Sequence, residues 1–216
     1  MTRAPYSSLG VPRRRRRGAG LAAVEFALWL PILVLLVAGL VDIGRGVQAN
    51  MILVNLSREG ANLASRGKLQ LSENAQVIIG QVATSGEPLD MNRRGMIYVT
   101  RVMGLAGGGT TRSIVLEQYR WDDAANNRGY RVSGYAPTSK IWSCGNWTSS
   151  GVAGTCLVPN GTNAPAVALM SGQLADGEVI YVVETFYKFD MIFSPFSLGS
   201  VSTSTIGPDL YSMTVF

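Results

Sequence analysis

A single acidic residue stands at the start of the most apolar run of the chain. Glu25 follows Leu21-Ala-Ala-Val and precedes Phe26, and the sixteen residues from Phe26 to Val41 carry no charge. A carboxylate in such a run is costly unless something uses it. The position of Glu25 therefore marks it as a candidate functional residue.

The apolar run is long enough to cross a bilayer. Extended from Leu21 to Ile43, it contains 23 residues, of which only Glu25 and Asp42 are ionisable. A helix of about 20 apolar residues spans the hydrocarbon core. The core of a cleaved signal peptide is shorter, at about 7–15 residues. The run therefore predicts a retained membrane anchor.

The basic residues of the chain are concentrated before this anchor. The first twenty residues contain six arginines, Arg3 and Arg13 to Arg17, and no acid. Lys and Arg remain on the cytoplasmic side, so we expect a cytoplasmic N-terminus and export of everything after about residue 45. Without these six arginines, 13 basic side chains face 14 acidic ones, and the net charge of +5 disappears. The rest of the chain therefore lacks the charge of a nucleic-acid-binding surface.

The patterning divides the chain into four predicted parts. They are a basic leader (1–20), a transmembrane helix (21–43), its amphipathic continuation (44–67) and an exported domain (68–216). The continuation has an apolar stripe at helical spacing, formed by Ala49, Leu53, Leu56, Gly60 and Leu63. We expect one helix from about 22 to 65, with Pro31 inside it and Gly67 as its stop.

The exported part changes from helical to strand patterning. A short helix is predicted over 72–83, and strands are predicted over 96–103, 113–121, 178–189 and 210–216, with a flexible glycine-rich turn over 104–109. The predicted fold class is α+β, with the long N-terminal helix packed on an antiparallel sheet.

A loop-rich segment, 122–175, interrupts the strands and contains both cysteines of the chain. Cys144 and Cys156 would meet an oxidising compartment outside the inner membrane, which favours a disulfide over two free thiols. The chain has no histidine to complete a metal site with them. Loops of this length tend to be functional or mobile.

The residues offer little support for catalysis. Without histidine, the usual Ser–His and Cys–His pairs cannot form, and no phosphate-binding glycine motif is present. Asp122 and Asp123 are adjacent carboxylates that we expect to lie solvated on a turn. The sequence therefore predicts a protein that is not an enzyme, with no catalytic residue, no metal and no cofactor.

The order of motifs along 13–67 resembles the TadE-like minor pilins of the tight-adherence pilus. The shared pattern is a basic leader, then Gly20-Leu-Ala-Ala-Val-Glu25-Phe26, then an apolar run with an internal proline. The exit from that run, Asp42-Ile-Gly44-Arg45, and the downstream Ser57-Arg58-Glu59-Gly60-Ala61 also fit the family.

The resemblance implies roles for individual residues. A prepilin peptidase would cleave after Gly20, so that Leu21 gains a free amine, Glu25 becomes the fifth residue and Phe26 the sixth. Glu25 would then pair with the amine of a neighbouring subunit. Alternatively, Glu25 is only a first-turn acid favoured by the helix dipole. Arg58 and Glu59 lie either on a solvated helix face or at a docking point for the domain.

The resemblance also implies a setting for the protein. It would be a minor pilin or pseudopilin with a pilin-like fold, spanning the bacterial inner membrane once, with its C-terminal domain in the periplasm or in an extracellular pilus. Its partners would be other pilin subunits, the pilus-assembly machinery, the prepilin peptidase and the lipid bilayer. Trp142 and Trp147 would offer a contact surface.

Two other functions remain open from the sequence. The first is an uncleaved, single-pass anchored module for envelope binding or adhesion. The second is a secreted hydrolase that uses acidic residues such as Asp122, Asp123 or Glu184.

Overall fold

The computed structural model describes residues 19–66, 71–107, 109–148, 153–192 and 207–216. Most of the basic leader and the expected helix stop at Gly67 lie outside these ranges. The chain divides into two compact units, Met1–Val41 and Asp42–Phe216. The bounds of the four predicted parts remain a prediction.

The first described element is helix α1, Ala19–Arg66, which contains Pro31. It agrees with the single helix expected over about 22–65. In the second unit, the apolar stripe of this helix is buried, with Leu53 and Leu56 almost fully excluded from solvent. The 3.6-residue period of the stripe places these side chains on one face, which is why the helix can pack against a sheet.

Two further helices precede the strands. Helix α2, Leu71–Thr84, agrees with the helix expected over 72–83, and helix α3 is the short turn Met91–Arg94. The carboxylate of Asp90 accepts a hydrogen bond from the backbone N–H of Arg93 and so caps α3.

The sheet has five antiparallel strands in the order β5-β2-β1-β6-β7. The strands are β1 (Gly95–Gly107), β2 (Thr110–Arg120), β5 (Ala166–Val167), β6 (Val179–Lys188) and β7 (Asp209–Val215). A separate two-stranded ribbon joins β3 (Asp122–Asp123) to β4 (Arg128–Gly129), and helix α4 is Tyr130–Ser133. The α+β layout predicted from the sequence is confirmed.

The turn between β1 and β2 is shorter than expected. The strands continue to Gly107 and resume at Thr110, so the prediction of a flexible turn over 104–109 was wrong for most of its length. Gly104 lies inside β1, where its backbone exchanges hydrogen bonds with Glu178 and Gly177. A Cβ there would collide with the carbonyl oxygen of Ala175, so this glycine permits close backbone approach within a strand.

One face of the sheet is covered by helices. The main core contains Leu53 and Leu56 of α1, Ile79 and Val82 of α2, and Val183 of β6. Gly60 lies at the tightest point, since a Cβ on it would be 3.0 Å from Val183 and 3.5 Å from Val82.

Part of the other face is covered by residues 134–148, which we call the cover segment, and Leu174 packs over another part. The Trp147 ring of the cover segment lies 5.9 Å from the ring of Tyr98 on β1, and Tyr98 in turn meets Phe186 of β6 edge-on at 5.8 Å. The hydroxyl of Tyr98 donates to the carbonyl of Pro137 at 2.7 Å. The loop-rich segment thus includes a third layer that completes the fold.

Candidate membrane anchor and docking residues

The described part of the first unit is apolar on all sides. From residue 19 to Val41, Glu25 is the one ionisable residue. Large apolar side chains around the whole helix, such as Leu21, Trp29 and Leu40, are about two-thirds exposed. A helix that is apolar all round requires an apolar environment. Among the described residues, α1 is the one helix whose length and composition are sufficient to cross a membrane.

The expected processing residues lie together at the start of α1. Leu21 and Glu25 are four residues apart, so their side chains lie on the same helix face. Both side chains are exposed, as is that of Phe26. The described helix begins at Ala19 and has no acidic residue in its first turn.

Among the residues that the structure describes, no atom lies within 4 Å of a Cβ built at Gly20. In contrast, glycines such as Gly60 and Gly104 allow close contacts. The fold described here therefore tolerates a larger residue at position 20.

The second unit begins with a buried carboxylate. Asp42 accepts hydrogen bonds from the backbone N–H of Ile192 at 3.0 Å and from Nη1 of Arg45 at 3.3 Å. Arg45 also donates to the carbonyl of Asp190 at 3.3 Å and lies 5.5 Å from the centre of the Phe189 ring. These contacts attach residues 189–192, which follow β6, to the part of α1 with which this unit begins.

Both residues of the Arg58–Glu59 motif are exposed on α1. Glu59 accepts a hydrogen bond from the hydroxyl of Ser85 at 2.7 Å, just after α2 ends. Arg58 is exposed. Glu59 is exposed as well, so both residues lie on the solvated face of α1, and Glu59 also contacts the residue that follows α2.

Hydroxyl groups attach α1 to the edge of the sheet, which sequence reasoning missed. Ser57 Oγ lies 3.0 Å from Ser212 Oγ and 2.9 Å from Thr214 Oγ1. Thr185 Oγ1 donates to the carbonyl of Leu53 at 3.2 Å. The available signal was a serine beside Leu56 in the apolar stripe, a place where a hydroxyl needs a partner.

The second face of the sheet has a buried carboxylate, Glu184, with no solvent exposure. Its carboxylate oxygens accept from the backbone N–H of Lys140 at 2.8 Å, from the hydroxyl of Tyr211 at 3.1 Å, and from the hydroxyl of Ser139. Two of these donors belong to the cover segment. Glu184 is therefore an anchor for that segment and has no open side at which a substrate could bind.

Arg120 forms a second polar centre under the cover segment. Its guanidinium lies 3.6 Å from the centre of the Tyr130 ring and 4.9 Å from that of Trp147, and it pairs with Asp122 at 3.4 Å. Trp147 is half-buried in this stack, and Trp142 is also half-buried. Each tryptophan thus offers only part of its surface for contact with another protein.

The expectation that Asp122 and Asp123 are solvated on a turn was wrong. Both are buried in β3, where Asp122 also pairs with Nε of Arg131 at 2.9 Å. Asp123 accepts backbone N–H bonds from Ala125 and Asn126 at 3.1 Å and so stabilises the following turn. Both carboxylates are buried, and each accepts hydrogen bonds from neighbouring residues of the fold.

The cysteines join the cover segment to the edge of the sheet. Cys144 and Cys156 form a disulfide. The backbone N–H of Cys156 donates to the carbonyl of Gln118 on β2 at 2.8 Å. The backbone N–H of Arg120 donates to the carbonyl of Gly154, also at 2.8 Å. Among the described residues, no group of three His, Cys, Asp or Glu side chains is placed to hold a metal.

Comparison with known protein families gave a match that lies within α1. Residues 20–62 match the TadE-like protein family. The match covers about a fifth of the chain and includes Gly20, Glu25, Asp42 and Glu59. It is consistent with a TadE-like pilus protein.

The TadE-like match suggests a general class for the chain. It indicates a protein related to the Tad pilus, and the family is not a known enzyme family. It implies interaction with pilus components, and the apolar helix is consistent with single-pass membrane anchoring. Comparison with curated proteins and with solved structures gave no significant match.

Proposed function

We propose that this chain is a minor pilin or pseudopilin that takes part in assembly of a tight-adherence pilus. The N-terminus lies in the cytoplasm, α1 crosses the inner membrane, and the second unit is exported. The observation that carries the proposal is Glu25, an isolated carboxylate on the exposed face of an apolar helix inside the TadE-like match.

A prepilin peptidase removes the leader after Gly20. Cleavage there places a new amine at Leu21, one helical turn before Glu25. The carboxylate of one subunit then pairs with the amine of another as their helices associate, which neutralises two charges in an apolar setting. The exposed Glu25 within the TadE-like match supports this account.

Processing is tested by determining the mature N-terminus in cells that contain the peptidase. We expect a chain that begins at Leu21. Gly20→Ala should fold normally, since it has room for a Cβ, yet it should retain its leader. Gly18→Ala is the matched control and should be cleaved as the wild type is. A wild-type chain with an intact leader would favour the uncleaved envelope module.

Assembly is tested separately with Glu25→Gln, which removes the charge and keeps the side-chain size. We expect cleavage to continue while incorporation into sheared pilus fractions, or crosslinking to other pilins, falls at least tenfold. Glu87→Gln changes an exposed acid of the second unit and serves as the control. Normal incorporation of Glu25→Gln would contradict the pairing role.

A further inference from the structure

Residues 189–192 follow α1 back toward the point where its apolar run ends. Phe189 lies at the level of Gly46, where an added Cβ would be 3.8 Å from its ring. The carbonyl of Asp190 accepts from Arg45, and the backbone N–H of Ile192 donates to Asp42. Each step along this segment is therefore matched by a step toward Asp42, the first residue of the second unit.

The end of this segment presents apolar side chains to the surroundings. Ile192 is 60% exposed and Met191 is 38% exposed. Asp42, to which Ile192 is attached, directly follows the uncharged run that ends at Val41. Two exposed apolar side chains thus lie beside the residue that follows the uncharged run in the sequence.

Basic side chains lie near this segment, two of them paired with the carboxylates of Asp42 and Asp190. The side chains of Arg45 and Arg94 are 41% and 38% exposed, and Lys188 is half-buried. Arg94 pairs with Asp190 at 2.8 Å, which fixes its position beside the segment. Apolar tips backed by long basic side chains suit the boundary between lipid tails and headgroup phosphates.

We propose that Met191 and Ile192 insert into the interfacial region of the bilayer, giving the second unit its own contact with lipid. The buried Asp42 holds the segment at the correct level through the Ile192 N–H bond, and the neighbouring cations face the headgroups. This inference rests on the membrane anchoring in the proposed function. It concerns a separate surface from the one formed by Leu21 and Glu25.

The test places a fluorescent label at single positions of the full chain in phosphatidylcholine–phosphatidylglycerol vesicles. Ile192→Cys is the test position, Leu33→Cys reports on the membrane span, and Leu157→Cys is a control at an equally exposed apolar residue of the loop-rich segment. Each label is attached with the native disulfide intact, as verified by mass. Quenching by shallow and deep spin-labelled lipids is then compared.

We expect lipid quenching at position 192 to be at least twofold stronger than at 157, with the shallow quencher more effective than the deep one. Met191→Cys should behave as Ile192→Cys does, which guards against a defect in one variant. Quenching at 33 combined with equal quenching at 192 and 157 would overturn this inference alone. Absence of quenching at 33 would overturn the membrane anchoring and, with it, the insertion of residues 191–192.

A second copy of the chain is the main rival occupant of this surface. In that case the label at 192 would respond to the density of protein in the vesicles and would crosslink between copies. Such a response, without shallow lipid quenching, would also overturn the proposal.

Discussion

Glu184 shows how a single buried charge can organise a long loop. Glu184 belongs to β6. Two of the groups that donate hydrogen bonds to its carboxylate come from Ser139 and Lys140, more than forty residues earlier in the chain. Burial of a charge is acceptable when its oxygens are fully hydrogen-bonded. The residue therefore links the stability of the sheet to the position of the cover segment.

Replacing Glu184 with Gln should destabilise the second unit strongly. In glutamine an NH2 group replaces one carboxylate oxygen, and this NH2 group would face a hydrogen-bond donor where it needs an acceptor. We therefore expect the unfolding free energy to fall by about 2–3 kcal/mol. Glu117→Gln is the matched control on β2, where the carboxylate is one-third exposed and pairs with Arg101. Its expected loss is about 1 kcal/mol or less. Urea unfolding followed by tryptophan fluorescence measures both, and equal losses would contradict the anchoring role.

Tyr98 should make the second unit sensitive to alkaline pH. Burial raises the pKa of Tyr98 to about 12, against 10.0 for an unperturbed tyrosine. Between these values the unfolded chain loses the proton while the folded chain keeps it. The stability present below pH 10 is therefore lost as the pH rises toward 12, by at most about 1.4 kcal/mol per pH unit for this residue.

The variant Tyr98→Phe tests whether Tyr98 causes stability to fall as the pH rises. At pH 7 it should be less stable by about 1 kcal/mol, because it lacks the hydrogen bond to Pro137. Above pH 10 its stability should decline less steeply than that of the wild type, so the difference between the two should shrink. Parallel curves of unfolding free energy against pH would contradict the assignment. Tyr119, Tyr135 and Tyr211, whose pKa values are also raised by burial, contribute to the decline in both proteins.

At the level of elements, the contact between α1, α2 and β6 depends on the absence of a side chain at Gly60. Gly60→Val should force Val183 and Val82 apart and lower the unfolding free energy by about 1–3 kcal/mol. Gly80→Val is the matched control in α2, where a Cβ meets nothing within 4 Å. It should cost nothing, because valine has a higher helix propensity than glycine. Equal loss in both variants would show that the effect does not come from the close packing at Gly60.

The elements that could be predicted from the sequence are those with a local period. The stripe from Ala49 to Leu63 and the β-branched run around Val182 specify α1 and β6 without reference to distant residues. The alternation is weaker at the β1–β2 turn. There Gly104 suggested a turn, and its real constraint, the backbone near Ala175, is seventy residues away.

The candidate site shows the same division. The isolation of Glu25 and the length of the apolar run could be read directly from the residue order. The carboxylate–amide bond between Asp42 and Ile192, and the hydroxyl contacts of Ser57, join residues about 150 positions apart. Nothing in the local pattern specifies such pairs. The burial of Asp122 was missed for the same reason, since one of its partners, Arg131, becomes a neighbour only after the ribbon folds.

At the level of the whole molecule, the first unit should decide where the protein resides. Leu33 is exposed in the middle of the apolar run, so Leu33→Arg would place a charge in the hydrocarbon at a cost of about 3 kcal/mol or more. We expect a clear fall in the fraction that remains in membranes after alkaline carbonate washing. Val77→Arg, at a comparably exposed valine of α2, should leave this fraction unchanged. Loss of membrane retention in both variants would point to a general folding defect.

The disulfide between Cys144 and Cys156 has a consequence for a newly exported chain. With both thiols reduced, the cover segment would be held by non-covalent contacts alone. Its transient release would expose the aromatic rings of Tyr98, Phe186 and Tyr211 to solvent. Trypsin should then cut at the exposed Lys140 several times faster in dithiothreitol than without it, whereas equal rates would mean that the bond has no such role. Oxidation would thus act as a maturation step, after which these aromatic rings are no longer exposed for binding by chaperones or by unrelated chains.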